Sequence, residues 1–130
     1  MITGSVTLAR EAVLPMVLIG VDGLNFEIEG IVDTGFDGFL TLPSSVIRRL
    51  SIPLLGRVRA SLGDGSEVGM PAYEASVLWD RRERSILVLE TEGVPLVGMA
   101  MLLGYRLTID VEEDGLVRVE SLPSNRKSAH

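Results

Sequence analysis

The chain contains no cysteine, so disulfide frameworks and thiolate metal sites are excluded. Its single histidine, His130, stands at the C-terminus, and histidine-dependent nucleophilic or metal chemistry has nothing else to build on. Aromatic residues are scarce, at 5%. Cations are outnumbered: 12 Lys and Arg against 18 Asp and Glu leave a net charge of −6. The basic residues are dispersed in small groups, among them Arg48-Arg49, Arg57, Arg59 and Arg81-Arg82 with Arg84. A nucleic-acid surface needs clustered Lys and Arg, so nucleic acid is not an expected partner. Long apolar runs are also missing. The longest, Ala12 to Val21, is broken by Pro15 and falls far short of the ~20 residues of a membrane span. Met1 to Arg10 lacks a basic start and a long apolar segment. No leader and no membrane partner are expected, and a cytoplasmic protein is the default reading.

What is present is a chain of 130 residues with 46% apolar composition, enough for the core of one domain. Period-two alternation dominates and predicts a mostly β protein. Val13 to Val21 reads as a strand, Asp22-Gly23 as a hairpin turn, and Leu24, Phe26 and Ile28 alternate with Asn25, Glu27 and Glu29 on the return. Phe39 to Leu42 is a short strand. Pro43-Ser44-Ser45 starts a helix carrying Val46, Ile47 and Leu50 on one face, and Ile52-Pro53 ends it. A second hairpin follows, with Val58, Ala60 and Leu62 alternating into a Gly63-Asp64-Gly65 turn and Tyr73, Ala75, Val77 and Trp79 on the outgoing strand. Asp80 to Glu83 is a polar turn, and Ile86 to Leu89 a buried strand. Met99 to Leu103 reads as a short helix capped by Gly104. Thr108 to Val111 and Leu116 to Val119 form a last hairpin. Residues 1–120 are the expected domain, and 121–130 a polar, flexible tail. Asp110, Glu112, Glu113 and Asp114 lack the glycine and glutamate positions of a calcium loop and read as a solvated turn. No metal or cofactor is expected.

The chemistry-bearing segment is Ile31-Val32-Asp33-Thr34-Gly35-Phe36-Asp37-Gly38. Two β-branched residues run into an Asp-Thr-Gly turn, which can hold one carboxylate at a strand end beside a hydroxyl and glycine N–H groups. A weak echo follows at Leu96-Val97-Gly98-Met99, again an apolar pair entering a glycine turn before a short helix. In order along the chain, the Asp-Thr-Gly turn, the glycine-tipped hairpin Leu62-Gly63-Asp64-Gly65-Ser66, the Val94-Pro95-Leu96-Val97-Gly98 element and the Met99–Leu103 helix resemble the retropepsin-like aspartic proteases of bacteria. The resemblance spans about residues 13 to 111.

This resemblance implies an all-β fold, a small closed β-barrel with one or two short helices and a flap hairpin. It implies an acid-favouring aspartic endopeptidase. Because Asp-Thr-Gly occurs once, a two-lobed monomer is excluded and activity requires a symmetric homodimer that brings two Asp33 carboxylates together. The implied catalytic residues are Asp33, Thr34 and Gly35. The implied substrate-binding residues are Phe36, Asp37 and Gly38 with Leu62, Gly63, Asp64 and Gly65 of the flap, acting on a polypeptide substrate. Subunit pairing is expected through the chain ends and the region around Thr34. Two residues depart from the pattern. Phe36 stands where the family often has a small residue and would narrow the cleft. Ala100 stands where relatives carry Asp or Asn bracing the turn. These departures motivate an alternative: a catalytically inactive peptide-binding or dimerisation module of the same fold.

Overall fold

A computed structural model describes residues 1–61 and 63–123. The elements are, in chain order, β1 (Ile2–Val6), β2 (Ala12–Ile19), β3 (Asn25–Val32), β4 (Leu40–Leu42), α1 (Ser44–Leu50), β5 (Leu54–Ser61), β6 (Glu67–Trp79), β7 (Arg82–Glu90), β8 (Leu96–Val97), α2 (Met99–Leu102), β9 (Tyr105–Ile109) and β10 (Leu116–Ser121). All strands join one sheet in the order β5-β6-β7-β4-β8-β3-β2-β1-β10-β9, with a further β2–β6 pairing. That extra pairing curls the sheet back on itself, while β5 and β9 stand at its two ends. The mostly β character expected from the alternation is therefore met; in place of the expected closed barrel stands a curled sheet with β5 and β9 at its ends.

Local sequence explains most elements. In β3, Phe26 and Ile28 turn inward while Glu27 and Glu29 stay exposed, the pattern of a strand with one wet face. The β2–β3 turn differs from the two-residue form that Asp22-Gly23 suggests. Pairing stops at Ile19↔Asn25, and the Gly20 N–H donates to the Leu24 carbonyl. Only Gly23, with φ +83°, takes a left-handed conformation there; Asp22 instead accepts the Leu24 N–H through its side chain at 3.0 Å. The tight two-residue turn occurs elsewhere, at Asp80 and Arg81, both with positive φ and flanked by the Trp79↔Arg82 pair.

Helix α1 buries Ile47 and Leu50 and ends at Ser51 in the left-handed conformation. Helix α2 is followed by Gly104 at φ +91°, the residue favoured just past a helix end. Strand β2 serves two neighbours on one edge: β1 at Ala12 and Val13, β6 at residues 17–19. Pro15 falls between those two pairings, where no ladder bond requires its missing N–H.

The core gathers Leu14, Leu18, Leu40, Leu42, Val77, Trp79, Val88, Val97, Met101, Val117 and Val119. Trp79 is 2% exposed and meets Tyr105 edge-on at 5.7 Å between ring centroids. Strand β1 has no counterpart in the sequence reading. It lies between β10 and β2, and Gly4 is required there because a Cβ would overlap the Val13 carbonyl oxygen. Strand β10 carries Ser121 into the sheet, one residue beyond the domain boundary expected from polarity. The Leu122 N–H then donates to the Gly104 carbonyl at 2.9 Å. The rest of the expected tail, residues 124–130, lies outside the described residues. Among the described residues, no helix is long and apolar enough to cross a membrane.

Candidate active site

The Asp33 turn sits where two strand ends meet. β3 and β8 run parallel, with Ile31 opposite Leu96 and Val32 opposite Val97. The two echoing segments of the sequence are thus neighbours in space. The Asp33 N–H donates to the Val97 carbonyl at 2.9 Å, and the Phe36 N–H donates back to the Asp33 carbonyl at 3.1 Å. These two bonds fix the backbone on either side of the carboxylate. The carboxylate itself accepts the Gly35 N–H at 2.9 Å, a charge-assisted bond. A Cβ on Gly35 would sit 3.3 Å from that carboxylate oxygen and 3.6 Å from the Gly63 Cα. Glycine therefore lets the backbone approach the acid closely, with the β5–β6 hairpin tip standing over the turn. Asp33 is half-buried; Thr34 and Gly35 are exposed.

The turn is braced from behind by the start of α2. The Gly98, Met99 and Ala100 N–H groups donate to the carbonyls of Phe39, Phe36 and Gly38 at 3.0, 2.8 and 3.1 Å. The bracing expected from a polar side chain at position 100 is supplied here by main-chain donors of three successive residues. Gly98 is needed for it. A Cβ there would overlap the Gly38 carbonyl oxygen and come within 2.5 Å of the Phe36 ring.

Phe36 is only 5% exposed and packs with Ala72 and Leu89, flanked by Val58, Met70, Leu87 and Leu96. Its ring lies over Gly38, whose absent Cβ would meet Cζ at 2.5 Å. The large residue at this position is accommodated by two glycines, and it ties the Asp33 turn to the β5–β6 hairpin.

A cleft of about 460 Å³ opens beside the acid, bordered by Asp33, Phe36, Gly63, Met70, Glu92 and Leu96. Thr41, Thr91, Gly93 and Val94 complete its lining. Of the residues singled out in the sequence, Asp33, Phe36 and Gly63 meet at this cleft. Thr34, Asp37, Gly38, Asp64 and Gly65 do not line it. Leu62 lies outside the described residues. Asp64 and Gly65 form the hairpin tip, where Asp64 accepts both the Ser66 hydroxyl at 2.6 Å and the Ser66 N–H at 2.9 Å. Those two bonds, the hydroxyl first, hold the Asp64 carboxyl below its ordinary value.

Sequence reasoning missed Thr41, Met70 and the Thr91–Val94 loop. Thr41 is 2% exposed and its hydroxyl oxygen accepts the Leu96 N–H at 2.9 Å, joining β4 to β8. A lone threonine between two leucines is the signal that points to it. The loop carries no such signal. Among the described residues, no group of three His, Cys, Asp or Glu is arranged to hold a metal ion.

No family model and no curated protein matches this sequence. Among solved structures, a retropepsin-like aspartic protease from Rickettsia conorii superposes on 94% of this chain and 90% of its own, with a TM-score of 0.56 and 14% identity. The chain has the retropepsin-like fold. At that identity the likeness speaks for architecture alone, and the case for chemistry rests on the residues at the turn.

Proposed function

We propose that this protein is an aspartic endopeptidase that acts as a symmetric homodimer, each copy contributing one Asp33. The observation that carries the reading is a half-buried carboxylate, held by the Gly35 N–H at the edge of a largely apolar cleft that the hairpin glycine Gly63 also lines.

The chemistry follows from the pairing. Two carboxylates brought together share one proton, because both cannot ionise at close range. The ionised Asp33 accepts a proton from a water molecule, whose oxygen attacks the scissile carbonyl carbon. The protonated Asp33 of the other copy gives its proton to the carbonyl oxygen. Collapse of the resulting diol breaks the C–N bond, with a proton passing to the leaving amine. Thr34, exposed beside the acid, supports the meeting of the two turns. The β5–β6 hairpin, with Gly63, Asp64 and Gly65 at its tip, serves as flap. Phe36, Met70 and Leu96 receive an apolar side chain of a polypeptide.

The alternative, a peptide-binding module without catalysis, drew on Phe36 and Ala100. Both have benign roles in this reading: Phe36 is seated against Gly38 and Gly98, and the Ala100 backbone helps brace the turn. The test is cleavage of a diverse peptide mixture by wild type and Asp33→Asn across acidic to neutral pH and several protein concentrations. Cleavage that vanishes in the variant and rises faster than linearly with protein is expected. Undiminished cleavage by a folded Asp33→Asn protein would overturn the assignment.

A further inference from the structure

The cleft beside Asp33 holds a second charge that the reaction leaves unused. Two carboxylates border it, Asp33 and Glu92, and among the described residues no Lys, Arg or His does. Asp33 belongs to the catalytic turn. Glu92 takes no part in the steps proposed above, and among the described residues it makes no ion pair.

Glu92 stands on a loop fixed at both ends. The Thr91 N–H donates to the Leu42 carbonyl at 3.0 Å, and the Ile31 N–H donates to the Pro95 carbonyl at 2.9 Å. Between these anchors the chain turns at Gly93, with φ +115°, a left-handed conformation that costs glycine little. The second anchor lies two residues before Asp33, so the loop and the acid are set on one frame. The basic residues of the neighbouring hairpin do not neutralise this rim. Val58 packs with the Phe36 cluster, and strand alternation turns Arg57 and Arg59 to the opposite face. Both are exposed, and Arg57 donates to the Gly69 carbonyl at 3.2 Å.

An apolar cleft with a carboxylate at its rim and no cation of its own suits a side chain with a long methylene stem and a positive end. Lysine and arginine have that form. We infer that the cleft selects a basic residue of the polypeptide substrate, its stem along Phe36, Met70 and Leu96 and its cationic end at Glu92. This rests on the proteolytic reading above and narrows the side chain received there to one that ends in a cation. A neutral side chain of equal length would take water from the Glu92 carboxylate and offer no partner in return. Glu92 is exposed, so solvent screens the pair and the preference is a moderate one.

The test compares the full chain as wild type, Glu92→Gln and a charge control, Glu113→Gln. Glu113 is exposed on the turn before β10 and does not border the cleft, so its loss changes the net charge equally. Circular dichroism checks that all three are folded. A diverse peptide mixture is digested near neutral pH, and the cut sites are read by mass spectrometry. Wild type and Glu113→Gln are expected to show lysine or arginine enriched at one fixed position from the cut, and Glu92→Gln to lose that enrichment. In the best-cut peptide, replacing the basic residue by norleucine keeps a stem and drops the charge. This should lower kcat/KM about fivefold for wild type, with no such difference for Glu92→Gln. Cleavage by wild type without a basic preference, a preference that Glu92→Gln retains, or one that Glu113→Gln also loses overturns the inference and leaves the catalytic reading standing. If wild type cuts nothing, the catalytic reading fails, and retention of the same mixture on immobilised protein decides the preference by itself. Basic peptides held by wild type and Glu113→Gln but not by Glu92→Gln uphold it; equal retention by all three refutes it.

Discussion

Replacing Phe36 by alanine tests the packing that holds the Asp33 turn. The ring is 5% exposed and touches side chains of β5, β6 and β7. Deleting a buried phenyl group costs about 3–5 kcal/mol through lost transfer energy and an unfilled cavity. Here the ring also borders an open cleft, so water enters part of the space, and the lower end, about 3 kcal/mol, is expected. That is a large share of the 5–15 kcal/mol typical of a domain. The decisive measurement adds two glycine substitutions. Gly38→Ala alone places a methyl 2.5 Å from the Phe36 Cζ, an overpacking worth about 1–3 kcal/mol. In the Phe36→Ala background that methyl enters vacated space, so its penalty disappears and the pair shows a coupling of similar size. Gly98→Ala behaves differently. Its methyl overlaps the Gly38 carbonyl oxygen and lies 2.8 Å from the Phe36 carbonyl oxygen, and removing the ring relieves neither. Urea denaturation of the single and double variants, with slopes compared to check two-state behaviour, reads all of this. If Gly38→Ala costs the same in both backgrounds, or if Phe36→Ala rescues Gly98→Ala, the packing argument is wrong.

Three further outcomes follow from individual contacts. Thr41→Val keeps the shape but removes the acceptor for the Leu96 N–H, and should cost about 1–3 kcal/mol in the same denaturation assay; a neutral substitution would show that the bond is replaceable. Tyr73 donates its hydroxyl to Glu90 at 2.7 Å, which raises its pKa above 10.0. Its contribution is complete below that ordinary value and fades as pH rises through the raised one, so Tyr73→Phe should lower the thermal midpoint at neutral pH and match wild type in strong alkali. Asp64 is the reverse case, depressed below 3.8. Its turn persists above the ordinary value and is lost as pH falls through the depressed one. Amide exchange at Ser66 should therefore be protected throughout mild acid in wild type and unprotected in Asp64→Ala.

The strands that could be read from the sequence are those whose environment is local and one-sided. β3 alternates because one face is wet, and α1 shows its buried Ile47 and Leu50 at helical spacing. β1 escaped because Thr3-Gly4-Ser5 has no strand signature; Gly4 is there for the close approach of Val13, a contact between segments that only the fold brings together. The β2–β3 hairpin was legible but its turn was not, since a side-chain acceptor from Asp22 replaced the expected conformation. At the site, the Asp33 turn announced itself through an unusual local sequence. The cleft's other wall did not, because Met70 and the 91–94 loop reach it from distant parts of the chain. Phe36 was visible as a departure, but its meaning depended on Gly38 and Gly98.

The parallel seating of β3 and β8 assigns different work to two similar turns. Both begin with an apolar pair, and Val97 opposes Val32 in the ladder. After Val32 comes a carboxylate; after Val97 comes Gly98, followed by main-chain donors aimed at the first turn. The second half of the chain thus supplies rigidity to the turn that carries the acid. That division has a cost that the fold cannot remove from within. A single copy can orient one Asp33 but cannot create the like-charge neighbour that forces two carboxylates to share a proton. An acid cannot be placed at Gly98 to supply that neighbour within one copy, because a Cβ there would overlap the Gly38 carbonyl oxygen. In the dimeric reading, activity would then follow dimer concentration.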